Sequence, residues 1–170
     1  MQGLAVMIPA HNEAQRVGEV IDRVRGTLPE SDVFVVDSGS TDETAAVAEA
    51  HGAKVIAQGG SGYGGALQAG YSALLKESWT TLVQLDADGQ HPPEAIPALL
   101  AEIDDVHFVV ASREGTDSQG ALHRRLGNAG LSLAVLGLTG QRFYDVTSGM
   151  WAMDRKAVNV LAEQLPTDTW

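Results

Sequence analysis

The chain has 170 residues, 44% of them hydrophobic, no cysteine and a formal net charge of -11. That length suits one soluble globular domain with a core of its own. The missing cysteine excludes disulfides, zinc-thiolate centres and thiol nucleophiles. The acidic excess sits wholly in residues 1–112; it argues against nucleic-acid binding, and any phosphorylated ligand needs a cation or a local basic cluster to be held. Arg113, Arg124 and Arg125 lie in the balanced remainder. The apolar run Gly3 to Ala10 is short and has no basic leader, and Leu131 to Leu138 cannot span a bilayer, so a cytoplasmic location is expected.

Gly3 to Ile8 reads as a strand ended by Pro9, and Glu13 to Leu28 as a helix with Ala14, Val17, Val20, Ile21, Val24 and Leu28 at helical spacing. Between them P-A-H-N-E forms a tight polar turn. Asn12 suits an N-cap and Glu13 a first turn, while a nucleotide contact is the sharper alternative. Asp32 to Asp37 is a second strand, apolar in the manner of one buried on both faces. In S-G-S-T-D-E-T, Ser40 or Thr41 can cap and Asp42 and Glu43 fit the first turn of a helix running to about His51. Asp37, at a strand's carboxyl end, is placed to accept hydrogen bonds from a base or ribose.

Ala53 to Ala57 is a short third strand. The run G-G-S-G-Y-G-G then leads into a helix with Tyr63, Ala66, Leu67, Gly70, Tyr71, Leu74 and Leu75 as its stripe. Such a loop can present N–H groups to phosphate, or simply join two elements with close helix packing at Gly70. No Gly-Lys-Ser/Thr follows, so it is not a P-loop.

Thr80 to His91, T-T-L-V-Q-L-D-A-D-G-Q-H, is the centre of the chain. Leu82, Val83 and Leu85 read as a buried strand, with Asp86, Asp88 and Gln90 following directly. At the carboxyl edge of a parallel sheet these face the ligand crevice. Two carboxylates and one carboxamide oxygen are hard ligands suited to Mg²⁺ or Mn²⁺ shared with a nucleotide's phosphates. Asp-x-Asp-Gly is equally good turn chemistry, and both readings stand.

Pro92 and Pro93 open a helix with Ile96, Leu99, Leu100 and Ile103 on one face, and His91 reads as structural. His107 to Ala111 is a further strand with Ser112 and Arg113 at its end. Four strand and helix alternations predict an α/β fold with a mainly parallel, doubly wound sheet whose carboxyl edge collects Asp37, Asp86 and Arg113. Beyond Gly115 come a loop and one or two apolar helices over Ala121 to Leu138, buried or, beside Arg124 and Arg125, in contact with lipid phosphate. Tyr144 to Met153 suggests two short strands about a turn at Ser148 and Gly149. A helix from about Arg155 to Gln164 follows.

Taken in order, P-A-H-N-E (9–13), V-V-D-S-G-S-T-D-E-T (35–44), G-Y-G-G-A (62–66), D-A-D-G-Q-H-P-P-E (86–94), A-S-R (111–113) and D-V-T-S-G-M (145–150) resemble the family 2 glycosyltransferases of GT-A fold. The likeness is strongest to the dolichyl- and polyprenyl-phosphate mannosyl- and glucosyltransferases, and it covers essentially the whole chain. It implies a Rossmann-like GT-A domain over 1–170, with a nucleotide-sugar-binding part at 1–114 and an acceptor-side part from 115 that relatives commonly extend past Trp170. It also implies inverting transfer from a GDP- or UDP-sugar with a divalent cation, Mg²⁺ or Mn²⁺. A polyprenyl-phosphate acceptor, peripheral contact with the inner face of the membrane and a homodimer are compatible with it.

By position, the resemblance puts Pro9, His11 and Glu13 in the nucleotide pocket, Asp37 at the base, and Asp86 with Ala87 at the ribose. Asp86, Asp88 and Gln90 would hold the metal and Arg113 the donor diphosphate. Asp145 is the candidate for taking an acceptor proton, with a structural role at the start of its loop as the alternative. A sugar nucleotidyltransferase would need a basic phosphate loop after its first strand, which is absent. A nucleotide-sugar-binding module or noncatalytic subunit is the alternative from a different class.

Overall fold

Alternation along each strand decides which helix layer it serves. In a computed structural model that describes residues 3–59, 62–104, 106–112 and 148–165, every residue of strand β1 (Leu4–Ala10) is buried. Leu4, Val6, Ile8 and Ala10 join one core cluster, and Ala5 and Met7 join the other. Strand β2 (Asp32–Asp37) divides the same way, Val33 and Val35 against Phe34 and Val36.

The first face is covered by helices α1 (Val17–Thr27) and α2 (Thr44–Ala50), through Val17, Val20, Ile21, Val24 and Ala48. The second is covered by α3 (Gly62–Leu74), through Ala66, Leu67, Tyr71 and Leu74. A Cβ on Gly70 would stand 2.6 Å from Met7 Sδ and 2.7 Å from Val36 Cγ2, so α3 lies as close to β1 and β2 as a glycine permits.

Strands β3 (Lys54–Ala57) and β4 (Thr81–Leu85) pair in parallel with β2 and β1 respectively. The other half differs from a simple parallel sheet. Strand β6 (Met150–Asp154) runs antiparallel beside β4, and β5 (Phe108–Val110) pairs antiparallel with β6 at the edge, giving the order β3-β2-β1-β4-β6-β5. Leu85 faces Met150. Because β6 starts where β4 ends, the segment entering β6 is delivered to the carboxyl edge of the parallel strands.

Several boundaries differ from the sequence expectation. Pro9 does not end β1: it pairs with Val36, beyond Met7, the last residue paired with β4, where a missing N–H is tolerated. Helix α1 begins at Val17, a turn later than expected, and Asn12 has φ 56° in place of a cap conformation. Asp42 and Glu43 precede α2 rather than fill its first turn. After Pro92 the chain makes a 3₁₀ turn at Pro93–Ala95 before α4 (Ile96–Leu100), since Pro97 lacks an N–H and fits only a helix's first turn. The final helix, α5 (Arg155–Gln164), is capped by Asp154, whose carboxylate accepts from the Ala157 amide. No helix among the described residues is long and apolar enough to cross a membrane.

Candidate functional site

The loops leaving β1 and β2 are bound to each other by a ladder of polar groups. His11 Nδ1 donates to the Ser38 carbonyl at 3.0 Å. The Asn12 amide donates to Ser40 Oγ at 2.9 Å, and the Thr41 amide returns a bond to Asn12 Oδ1 at 2.8 Å. The Glu13 amide donates to buried Thr44 Oγ1 at 2.8 Å and the Ala14 amide to Asp42 Oδ2 at 3.2 Å. Asp42 and Thr44 thus satisfy the polar turn before α1 as well as their own helix. Chiefly the Thr44 hydroxyl, aided by the Ala14 and Thr44 amides, holds the Asp42 carboxyl below its ordinary value.

This ladder forms one wall of a cleft of about 550 Å³ over the carboxyl ends of β1 and β2. Pro9, His11, Ser38 and Gly39 line it from that side, and Tyr63 and Ala66 at the start of α3 from the other. Asp37, 9% exposed, accepts from the Ser40 amide at 3.2 Å and so shapes the turn that carries Ser38 and Gly39.

Asp86 enters from the end of β4. Its Oδ1 accepts from the Tyr63 hydroxyl at 3.1 Å. Its Oδ2 lies against Gly149, where any Cβ would collide with it. The Tyr63 phenol is raised well above its ordinary value, first by burial, then by the Asp86 charge and hydrogen bond and by the Asp88 charge. Both carboxylates therefore act on a ring that also lines the cleft. Asp88 Oδ1 accepts from the Gln90 amide at 2.9 Å around Gly89, whose φ of 75° suits glycine.

Some residues singled out in the sequence converge here and others do not. Pro9 and His11 are in the cleft wall, Asp37 is directly behind it, and Asp86 touches that wall through Tyr63, whereas Asp88 is not among the lining residues. Glu13 does not line the cleft, and its carboxylate pairs with Arg16 at 2.9 Å. The Ala87 methyl is buried in the core. Gln90 is exposed. Arg113 and Asp145 lie outside the described residues, as do Arg124, Arg125 and the segments expected at 121–138 and 144–147.

Two participants went unread in the sequence, and His91, read as structural, holds a structural bond. Tyr63 reads as part of a core stripe yet is 48% exposed and lines the cleft. Gln84 is visible as the one polar residue within the apolar run Leu82 to Leu85, and a buried carboxamide requires partners; it finds Tyr71 and Tyr63. His91, 4% exposed, accepts the Gly149 N–H at 3.0 Å.

Among the described residues no three His, Cys, Asp or Glu side chains form a metal cluster. Asp86 and Asp88 are hard oxygen donors, the chemistry that a divalent cation shared with phosphate oxygens and water requires.

Residues 5–161 match the family described as Glycosyl transferase family 2. An undecaprenyl-phosphate mannosyltransferase of Micrococcus luteus is 36% identical over 113 residues, 63% of this chain and 46% of that protein. A dolichyl-phosphate hexose transferase of Haloferax volcanii is 35% identical over 161 residues, 92% of this chain and 68% of that protein. Among solved structures, glucosyl-3-phosphoglycerate synthase from Mycobacterium tuberculosis, in complex with Mn²⁺, UDP-glucose and phosphoglyceric acid, superposes with a TM-score of 0.69 at 25% identity over 91% of this chain and 57% of that one. The chain thus spans about half the length of the first relative and of the solved structure. With a six-stranded α/β sheet, a cleft at its carboxyl edge and a match over most of its length, the chain belongs to glycosyltransferase family 2 and has the GT-A fold.

Proposed function

We propose that this chain carries the donor site of an inverting hexosyltransferase, which moves a sugar from a nucleotide diphosphate sugar to a polyprenyl phosphate at the cytoplasmic face of a membrane. The observation that supports this most is the cleft walled by Pro9, His11, Ser38, Gly39 and Tyr63, with the Tyr63 hydroxyl bonded to Asp86 at the end of β4. The named relatives act on undecaprenyl and dolichyl phosphate, and the solved neighbour holds UDP-glucose with Mn²⁺.

In this reading the nucleoside rests between Pro9, His11 and the turn shaped by Asp37. Asp86 and Asp88, with Gln90 nearby, hold Mg²⁺ or Mn²⁺. The bound cation supplies positive charge to the departing nucleotide diphosphate. Arg113 adds a guanidinium to the same oxygens, at the moment when the acceptor oxygen attacks the anomeric carbon from the opposite face. A phosphate acceptor is already ionised, so it needs no strong general base; Asp145 would take a proton only from a hydroxyl acceptor.

The test is a thermal-shift series with UDP, GDP and their sugars, with and without Mn²⁺, followed by transfer to a polyprenyl phosphate in detergent. A nucleotide shift that grows with Mn²⁺, together with glycolipid product, is expected. Nucleotide-sugar binding with no transfer to any acceptor would support a binding module in place of an enzyme. No shift with any nucleotide would overturn the donor site itself.

A further inference from the structure

The Tyr63 hydroxyl stands at the end of a chain of hydrogen bonds that starts in the core. Tyr71 and Gln84 are both fully buried, and the Tyr71 hydroxyl donates to Gln84 Oε1. With that oxygen occupied, Gln84 Nε2 is turned toward Tyr63 and donates to its phenol oxygen at 3.4 Å. The Tyr63 proton then points at Asp86 Oδ1, 3.1 Å away.

The order of donors is fixed by what each group can do. A carboxamide has one oxygen that accepts and one nitrogen that donates, and an ionised carboxylate only accepts. Reversing the Gln84 amide would make Tyr63 donate inward and aim a phenol lone pair at the Asp86 carboxylate. The observed direction leaves the Tyr63 hydroxyl hydrogen to the Asp86 carboxylate, and each donor in the chain polarises the next.

We infer that Tyr63 is a positioning residue for Asp86: through Gln84 and Tyr71 it transmits the rigidity of the core to the carboxylate at the end of β4. This rests on the transferase reading only for what Asp86 then holds. On one side Oδ1 is fixed by the phenol; on the other Oδ2 abuts Gly149, whose N–H is held by His91. Asp88 is held differently, by the Gln90 amide of its own turn. One carboxylate is thus braced from the core and the other by its loop. Groups that orient a metal's ligands in this way commonly set metal affinity by roughly 10- to 100-fold.

The test is Tyr63→Phe, which keeps the ring in the cleft wall and removes the hydroxyl that accepts from Gln84 and donates to Asp86. Mn²⁺ binding is titrated calorimetrically in the presence of UDP, and UDP binding is titrated without metal. The expected result is a loss of Mn²⁺ affinity of about tenfold or more, well beyond any change in metal-free UDP affinity. Tyr71→Phe, which releases the far end of the relay, is expected to lower Mn²⁺ affinity less, in the same direction. Ligand-free crystal structures of the native protein and of Tyr63→Phe supply the second readout, with the Asp86 carboxylate expected to turn or to spread over several orientations in the variant. An unmoved Asp86, or unchanged Mn²⁺ affinity in the variant, overturns the inference. Should the native protein bind no Mn²⁺ with UDP, the transferase reading fails, and the orientation of Asp86 in the two crystal structures alone decides the role of Tyr63.

Discussion

The backbone N–H of Gly149 donates to Nε2 of His91 at 3.0 Å, so the turn entering β6 hangs on the loop that leaves β4. Pairing of Leu85 with Met150 already brings these ends together, and the imidazole fixes how closely the turn approaches Asp86. Acceptance at Nε2 places the neutral ring's proton on Nδ1.

Replacing His91 by Phe keeps most of the volume and removes the acceptor, leaving a buried N–H without its partner. A loss of about 1–3 kcal/mol in urea unfolding is expected. An unchanged unfolding midpoint would show that the imidazole is not what holds the turn.

Gly149→Ala places a methyl group where Asp86 Oδ2 lies. The turn's backbone is held by His91, so the Asp86 carboxylate, the far end of a side chain, is what must move. The variant is expected to fold, with Asp86 displaced and the Mn²⁺-dependent nucleotide shift lost. Retention of that shift would mean that Asp86 is not a ligand of the cation.

Asp88→Asn separates charge from shape. The asparagine oxygen still accepts the Gln90 amide, so the turn at Gly89 survives while one negative charge is lost. Metal-dependent stabilisation by nucleotide is expected to vanish with the apo melting temperature unchanged. A native-like shift in this variant would remove Asp88 from the site.

Asp42 predicts a pH dependence. Its carboxyl is held below its ordinary value of 3.8, chiefly by the Thr44 hydroxyl. A depressed folded-state value stabilises the protein above the unfolded value, and the contribution disappears as pH falls through the folded one. The difference in urea midpoint between the native protein and Asp42→Asn is therefore expected to be full at neutral pH and to shrink as pH drops below 3.8. A difference that widens in acid would contradict the loop ladder.

Much of the layout was legible in the sequence because burial on both faces leaves long apolar runs. Strand β2 matches its expected span, and Asp37 and Asp86 stand at strand ends as expected. The helix starts were less legible. Asn12 has the composition of a cap, but its side chain is taken by Thr41 of the neighbouring loop and its backbone by a left-handed turn. Asp42 likewise serves another segment, which spacing along one helix cannot reveal.

Local sequence determined the parallel half of the sheet, the order of its helices and the chemistry offered at its edge, since hydrophobic periodicity and turn residues act over a few neighbours. Only the tertiary structure decided that β6 runs antiparallel beside β4, that Gly149 must be small for the sake of Asp86, and that Tyr63 faces a cleft and not the core. Those outcomes depend on groups far apart in the chain meeting in space: 58 residues separate His91 from Gly149 and 23 separate Tyr63 from Asp86. No pattern within a single element encodes such a meeting; the hydrogen bonds and close contacts that define it exist only once the sheet has been assembled.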